Sequence, residues 1–159
     1  MMLKTHLVFA ILVSLVFFHF FPSVNPYFFI PLVCLGSVVV DIDTSNSKVG
    51  RKVRPLSWFL EVFFGHRGFF HSLTAALLFL ILSVYLFSVS FLAFAPFFGY
   101  LSHIFLDAFT LSGVPFLKPF SDRRVSGPVA TGGIAEYVIF AIILSLSIYI
   151  VYIEVVKPF

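Results

Sequence analysis

The chain carries very little charge. Of its 159 residues, 11% are Asp, Glu, Lys or Arg, while 60% are hydrophobic and the mean hydropathy is +1.10. A soluble domain is about half apolar and roughly a quarter charged, so this sequence has too little polar surface to cover a water-exposed globule. No nucleic-acid partner is expected of it. Cysteine is nearly absent as well: the single Cys34 excludes an internal disulfide and any metal site built from several thiolates. No internal repeat and no low-complexity tract is visible. The segment "FFPSVNP" (20–26) lacks the small-residue pattern of a cleavage site, so the first apolar run is expected to remain as a membrane span.

What is abundant is apolar, above all the 24 phenylalanines, which suit a surface facing lipid. Five apolar runs stand out, at 7–21, 27–40, 72–88, 91–111 and 134–153. A helix needs about 20 apolar residues to cross a bilayer, with a usual range of about 17–25. The first two runs fall short, and the second is the marginal one. The expectation is an all-α integral membrane protein, a bundle of about five transmembrane helices in one domain over residues 1–159, with Pro96 as a kink or boundary in the fourth.

The basic residues orient that bundle. With alternating spans, Lys4, the loop 44–70 (Lys48, Arg51, Lys52, Arg54, Arg67) and the loop 112–133 (Lys118, Arg123, Arg124) share one side, and Lys157 alone falls on the other. Lysine and arginine concentrate on the cytoplasmic side. The protein is therefore expected in the cell membrane with its N-terminus cytoplasmic and its C-terminus outside. The cluster from Lys48 to Arg54 reads as ordinary juxtamembrane charge against anionic lipid. Glu61, in "WFLEVFF" (58–64), belongs to an interfacial amphipathic stretch anchored by Trp58.

Histidines and acids fall on the same side. His6 opens the first span, Asp41 and Asp43 close the second, and His66 and His71 flank Arg67 before the third. His103 and Asp107 lie in the inner half of the fourth, and Glu136 opens the fifth. His19 sits at the opposite end and reads as an interfacial residue. Each alone has a bland reading: a histidine at a span end is commonly interfacial, and two aspartates can start a loop. His103 and Asp107 resist one. They are four residues apart, on one helical face, inside an apolar span where ionisable side chains are costly and by default functional.

Four imidazoles and three carboxylates are nitrogen and oxygen ligands suited to Zn²⁺, Mn²⁺ or Fe²⁺. One structural zinc needs four, so seven candidates suit two or more ions, with some residues left to orient the ligands. Two other classes remain open. A metal-ion or proton transporter would need polar residues through the whole bundle; the outer halves offer only His19, Ser14, Ser83, Ser88 and Ser90. A scaffold stapled by metal would need a closed site. A serine nucleophile is disfavoured, because Ser72 and Ser102 adjoin histidines without any G-x-S-x-G context.

The blocks "LKTHLVF" (3–9), "VDIDTSNSKVG" (40–50), "GHRGFFHSL" (65–73), "GYLSHIFLDAFTLSGVPFLKP" (99–119) and "TGGIAEYV" (131–138) resemble, in order and over nearly the whole chain, those of the YdjM-type family. That family is described as LexA-regulated, membrane-bound, metal-dependent hydrolases distantly similar to zinc-dependent phospholipase C. The resemblance implies metal positions at His6, Asp41, Asp43, His66, His71, His103 and Asp107, with Glu136 as the C-terminal acid. Val40 departs from a common proline, Thr44 from a frequent histidine and Phe70 from the usual threonine. The reading that follows is a membrane-bound metal-dependent hydrolase, acting on a phosphoester of a lipid or lipid-linked substrate at the cytoplasmic membrane face. Asp41, Asp43 or Asp107 would orient or deprotonate water, and Arg67, Arg123 or Arg124 would bind phosphate, with Arg67 favoured because it lies inside the motif. Arg123, Arg124 and Glu136 are expected to support the ligands from behind.

Overall fold

The computed structural model describes residues 1–64, 67–88 and 90–156. Its helices are α1 (Leu3–Phe20), α2 (Pro26–Val39), α3 (Arg54–Phe64), α4 (Leu73–Phe87), α5 (Phe91–Ala108) and α6 (Ile134–Val156), and no β-strand occurs among the described residues. Among the described residues, four stretches are long and apolar enough to span a membrane: Leu3–Phe20, Pro26–Asp43, Phe91–Ala108 and Ile134–Glu154. The second run, marginal by sequence, reaches its length because a 3₁₀ turn, Val40–Asp43, continues directly from α2. The apolar run that remains short is α4, with 15 residues. At about 1.5 Å per residue it covers about 22 Å, less than the ~30 Å hydrocarbon layer. Ser72 caps its start by accepting a hydrogen bond from the Ala75 N–H at 3.2 Å. Ser88, at φ 58°, ends it.

α5 is the central element, packed by α2, α4 and α1, while α6 lies against α1. Its buried residues include the small or polar Ala93, Gly99, Ser102, His103 and Asp107 beside Ile104 and Leu106. Association in lipid relies on close packing and hydrogen bonds, because hydrocarbon outside is as apolar as the interface. Gly99 and Gly36 provide the close packing. A methyl group on Gly99 would collide with the Val33 carbonyl and the Ser37 amide, and one on Gly36 with the Pro96 carbonyl. α2 and α5 therefore cross backbone to backbone.

Pro96 sits inside α5 rather than at its boundary. A proline frees carbonyls in the preceding turn, and here the Ser83 hydroxyl of α4 donates to the Ala93 carbonyl at 2.6 Å. After α5 the chain folds into a compact loop. Leu111 N–H bonds the Val129 carbonyl, and Val114 and Val125 exchange two bonds, all at 3.0 Å. Its Phe116 carbonyl takes the Leu73 N–H at 3.0 Å. This loop lies beside the start of α4 and the Arg67 segment, at the end of the bundle that carries the polar cluster.

Candidate metal centre

Asp107 is the hub. Its Oδ1 meets His6 Nε2 at 3.3 Å and the Met1 ammonium. Its Oδ2 lies 3.1 Å from Arg67 Nη2, 3.6 Å from His103 Nε2 and 3.7 Å from His71 Nε2. His6, His71, His103 and Asp107 are all buried. The expected face-sharing of His103 and Asp107 on α5 is thus present. α1 adds His6, whose ring stacks on that of His103 with centroids 3.8 Å apart and planes 6° from parallel. His71 closes the third side, edge-on to His103 at 5.3 Å.

The imidazoles are oriented from behind. His103 Nδ1 lies 2.6 Å from the Ser37 carbonyl, which can only accept, so Nδ1 carries a proton and Nε2 is the nitrogen turned toward the cluster. The close crossing at Gly99 and Gly36 is what brings the Ser37 carbonyl there. His71 Nδ1 lies 3.1 Å from Asp43 Oδ2, which likewise assigns the proton to Nδ1 and turns Nε2 inward. Asp43 is held in turn by the Thr44 hydroxyl, which donates to its Oδ1 at 3.0 Å. The two aspartates of the 3₁₀ turn therefore differ. Asp43 is fully buried behind His71, whereas Asp41, 17% exposed, faces His103 Nε2 at 3.8 Å.

Buried polar atoms are normally hydrogen-bonded, and each exception calls for an explanation. Here both nitrogens of His6, Nε2 of His71, Nε2 of His103 and Oδ2 of Asp107 have no hydrogen-bond partner among the described residues; the Arg67 contact is an ion pair lacking hydrogen-bond geometry. These atoms belong to two overlapping sets that could hold a metal ion: His6, His103 and Asp107, and Asp41, His71 and His103, the atoms of each set lying within 4.8 Å of one another. Imidazole and carboxylate donors fit Zn²⁺, Mn²⁺ or Fe²⁺, and rings fixed through Nδ1 by a carbonyl or carboxylate are the usual support for such ligands. The donor set therefore fits a divalent ion.

Asp41 and Arg67 open this cluster to a cavity of about 420 Å³, whose rim includes Lys4, Asn46, Ser47 and Lys48. Arg67, in the left-handed region at φ 49°, divides its guanidinium between Asp107 and the Thr110 hydroxyl, the latter at 3.3 Å. Arg124 is exposed and reaches the cluster only indirectly, donating to the Arg67 carbonyl at 3.2 Å. The exposed Arg123 has no described side-chain contact with the cluster.

Glu136 has a different place from the ligands. It accepts hydrogen bonds from the Met2 N–H, from the Thr5 hydroxyl at 2.9 Å and from the Gly132 N–H at 2.7 Å. It thereby pins the start of α1, and so His6, against α6. His19 lies at the far end of α1, 3.4 Å from Glu154. His66 falls outside the described residues. Sequence reasoning missed Ser37, Thr5 and Thr110. The small pair Gly36–Ser37 was the available signal for the first; Thr5 and Thr110 had none beyond their proximity to His6 and Asp107.

Comparison with known proteins agrees with a membrane location. The profile described as "YdjM inner membrane protein" matches residues 1–157. The chain is similar to the uncharacterized protein YvsG of Bacillus subtilis, 37% identical over 121 residues, which is 74% of each chain. It is also 37% identical over 97 residues to the inner membrane protein YdjM of Escherichia coli, covering 57% of this chain and 48% of that one. The match to YdjM of Shigella flexneri has the same extent. The chain thus spans about half the length of either YdjM relative. No solved structure matches. The protein is a membrane protein with a buried His/Asp group able to hold a metal ion, and the chain belongs to the YdjM inner membrane protein family.

Proposed function

We propose that the chain is a metal-dependent hydrolase acting on a phosphoester of a lipid or lipid-linked substrate at the cytoplasmic face of the cell membrane. The observation that carries the reading is the set of unpartnered buried donors on His6, His71, His103 and Asp107, gathered from separate segments beside an open cavity. His6, His103 and Asp107 would hold one divalent ion, and Asp41 and His71 would contribute to a second. Bound there, the ion supplies Lewis acidity and a nucleophile at neutral pH by acidifying water.

The chain's own residues do the rest. Ser37 and Asp43 fix the His103 and His71 tautomers. Arg67, on the rim of the cavity, supplies a planar guanidinium matched to phosphate oxygens. Asp41 lies where a carboxylate can accept a proton from an attacking water. Lys4 and Lys48 on the same rim favour an anionic head group.

Transport is disfavoured by what the outer hydroxyls do. Ser14 donates to the Ala10 carbonyl at 2.9 Å, Ser147 to Ile143 at 2.9 Å and Ser90 to Phe87 at 3.2 Å, so these groups are turned back onto backbone. A closed scaffold is disfavoured by the opening at Asp41. The test is metal analysis of the purified protein followed by a phosphoesterase screen over lipid phosphates. Hydrolysis that rises and falls with bound metal supports the reading; stoichiometric metal with no hydrolysis of any phosphoester refutes it.

A further inference from the structure

α3, with 11 residues, is too short to cross a bilayer, yet it leaves an apolar face uncovered. Leu56, Trp58, Phe59, Val62 and Phe63 are all exposed, Trp58 at 62% and Phe63 at 68%. The approach to the helix carries Lys48, Arg51, Lys52 and Arg54, likewise exposed. An apolar helical face edged by cations is the pattern of a helix lying in a membrane interface, its apolar side sunk about 5–10 Å toward the acyl chains. Between the two features lies a hollow of about 310 Å³ lined by Ser45, Arg54, Pro55 and Trp58. It offers a guanidinium, a hydroxyl and an indole at headgroup depth.

The attachment of α3 gives this surface a consequence. The helix packs on the two 3₁₀ turns Val40–Asp43 and Gly50–Val53. The first carries Asp41 and Asp43. Between the turns, Glu61 Oε2 accepts the Ser45 N–H at 3.0 Å. Ser45 also lines the hollow, and its neighbours Thr44, Asn46 and Ser47 line the cavity over the cluster. The turn itself is held by modest bonds: Thr44 N–H to the Asp41 carbonyl at 3.3 Å, Ser47 N–H to Thr44 at 3.0 Å and the Ser47 hydroxyl to Asp41 at 2.9 Å.

We infer that α3 is a docking surface for an anionic phospholipid bilayer, and that an anionic headgroup seated between Arg54 and Trp58 steadies the aspartate-bearing turn through Ser45 and Glu61. Free-energy coupling makes this reciprocal: whatever orders the turn strengthens lipid docking by the same factor. The inference bears on the site proposed above, but its test reads the lipid contact and the turn directly, without metal or hydrolysis.

Trp58 is the only tryptophan in the chain, so its fluorescence reports α3 alone. The full-length protein is placed singly in nanodiscs of phosphatidylglycerol or phosphatidylcholine, with lipids brominated at shallow or deep acyl positions. Trp58 is expected to be quenched more strongly by shallow bromines, and more in phosphatidylglycerol. Amide exchange at residues 44–47 is expected to slow by about five-fold or more in phosphatidylglycerol, the lower end of typical coupling. Arg51→Gln, Lys52→Gln and Arg54→Gln together remove exposed charge only and should abolish both differences. Salt of about 0.5 M should weaken them in the parent, because screening shortens to a few Å. Trp58 left unquenched by either lipid would overturn the docking, whether α3 faces water or a second protein. Quenching without any change in exchange would overturn the coupling. Absence of phosphoesterase activity with both effects intact would refute only the hydrolase reading.

Discussion

Replacing Asp43 by Asn tests whether the carboxylate behind His71 acts through the ring's tautomer. The substitution keeps size and shape and removes one charge. In the parent, Asp43 accepts the Nδ1 proton of His71 at 3.1 Å and the Thr44 hydroxyl at 3.0 Å. An asparagine can satisfy the threonine with its oxygen only by turning its NH₂ toward Nδ1. The histidine then carries its proton on Nε2, the atom that faces Asp107 and would bind metal. A group supporting a ligand in this way is worth about 10–100-fold in metal affinity, or about 1.4–2.7 kcal/mol at 1.36 kcal/mol per decade. The assay is competition for Zn²⁺ against a chelator of known strength, on the detergent-solubilised protein, with a melting curve on the same sample. Thr44→Val is the companion: it frees the asparagine to keep its oxygen toward His71, so the double variant Asp43→Asn/Thr44→Val should recover much of the loss. Asp43→Asn affinity within about two-fold of the parent, or a double variant no better than the single, would refute the tautomer argument.

Three further outcomes are expected. His103→Ala and Asp107→Ala should each lose most bound metal and at least about 100-fold in activity, while His19→Ala retains both; full metal occupancy in the two α5 variants would remove this helix from the site. Gly99→Ala should lower stability by about 1–3 kcal/mol through overpacking against Val33 and Ser37 and weaken metal binding as the Ser37 carbonyl leaves His103; unchanged metal affinity would refute the link between the helix crossing and the ligand. With Cys34 replaced by alanine, Asn46→Cys and Ser126→Cys should both resist an impermeant thiol reagent added to intact cells; labelling of both from outside would invert the orientation, and labelling of one would change the number of spans.

The chemistry of the ends was easier to read from sequence than the lengths of the middles. Charge in an apolar chain is conspicuous, so His6, His71, His103 and Asp107 were legible as a group, and the i, i+4 spacing put the last two on one face. Helix lengths were less so. Hydropathy runs cannot see that a 3₁₀ turn lengthens α2 or that serines stop α4 at 15 residues. Nor could sequence separate Asp41 from Asp43. They are two residues apart and chemically identical, yet one opens on a cavity and the other is sealed behind an imidazole, a difference set by the turn's pitch. The Ser37 contribution was hidden for another reason: a backbone carbonyl has no residue signature, and only the glycines that let it approach leave a trace. Glu136 was read as a supporting acid, and two of its three donors, the Met2 N–H and the Thr5 hydroxyl, tie it to the start of α1.

The gathering of His6, Asp41, His71, His103 and Asp107 at one end of the bundle also bears on how the chain enters the membrane. Helices insert one by one and associate afterwards. His6 on α1 has its partner Asp107 a hundred residues later, on α5. Had these groups lain at mid-depth, α1 would have waited in hydrocarbon with an unsatisfied imidazole, and α5 with a bare carboxylate, each at about 2.5–3.5 kcal/mol on insertion scales. His6 and Asp107 lie instead at the ends of their helices, where a helix that crosses a bilayer reaches the hydrated headgroup zone. Each helix is acceptable to the bilayer by itself, and the polar cluster goes dry only when α5 slides its glycine face against α2 and the bundle closes.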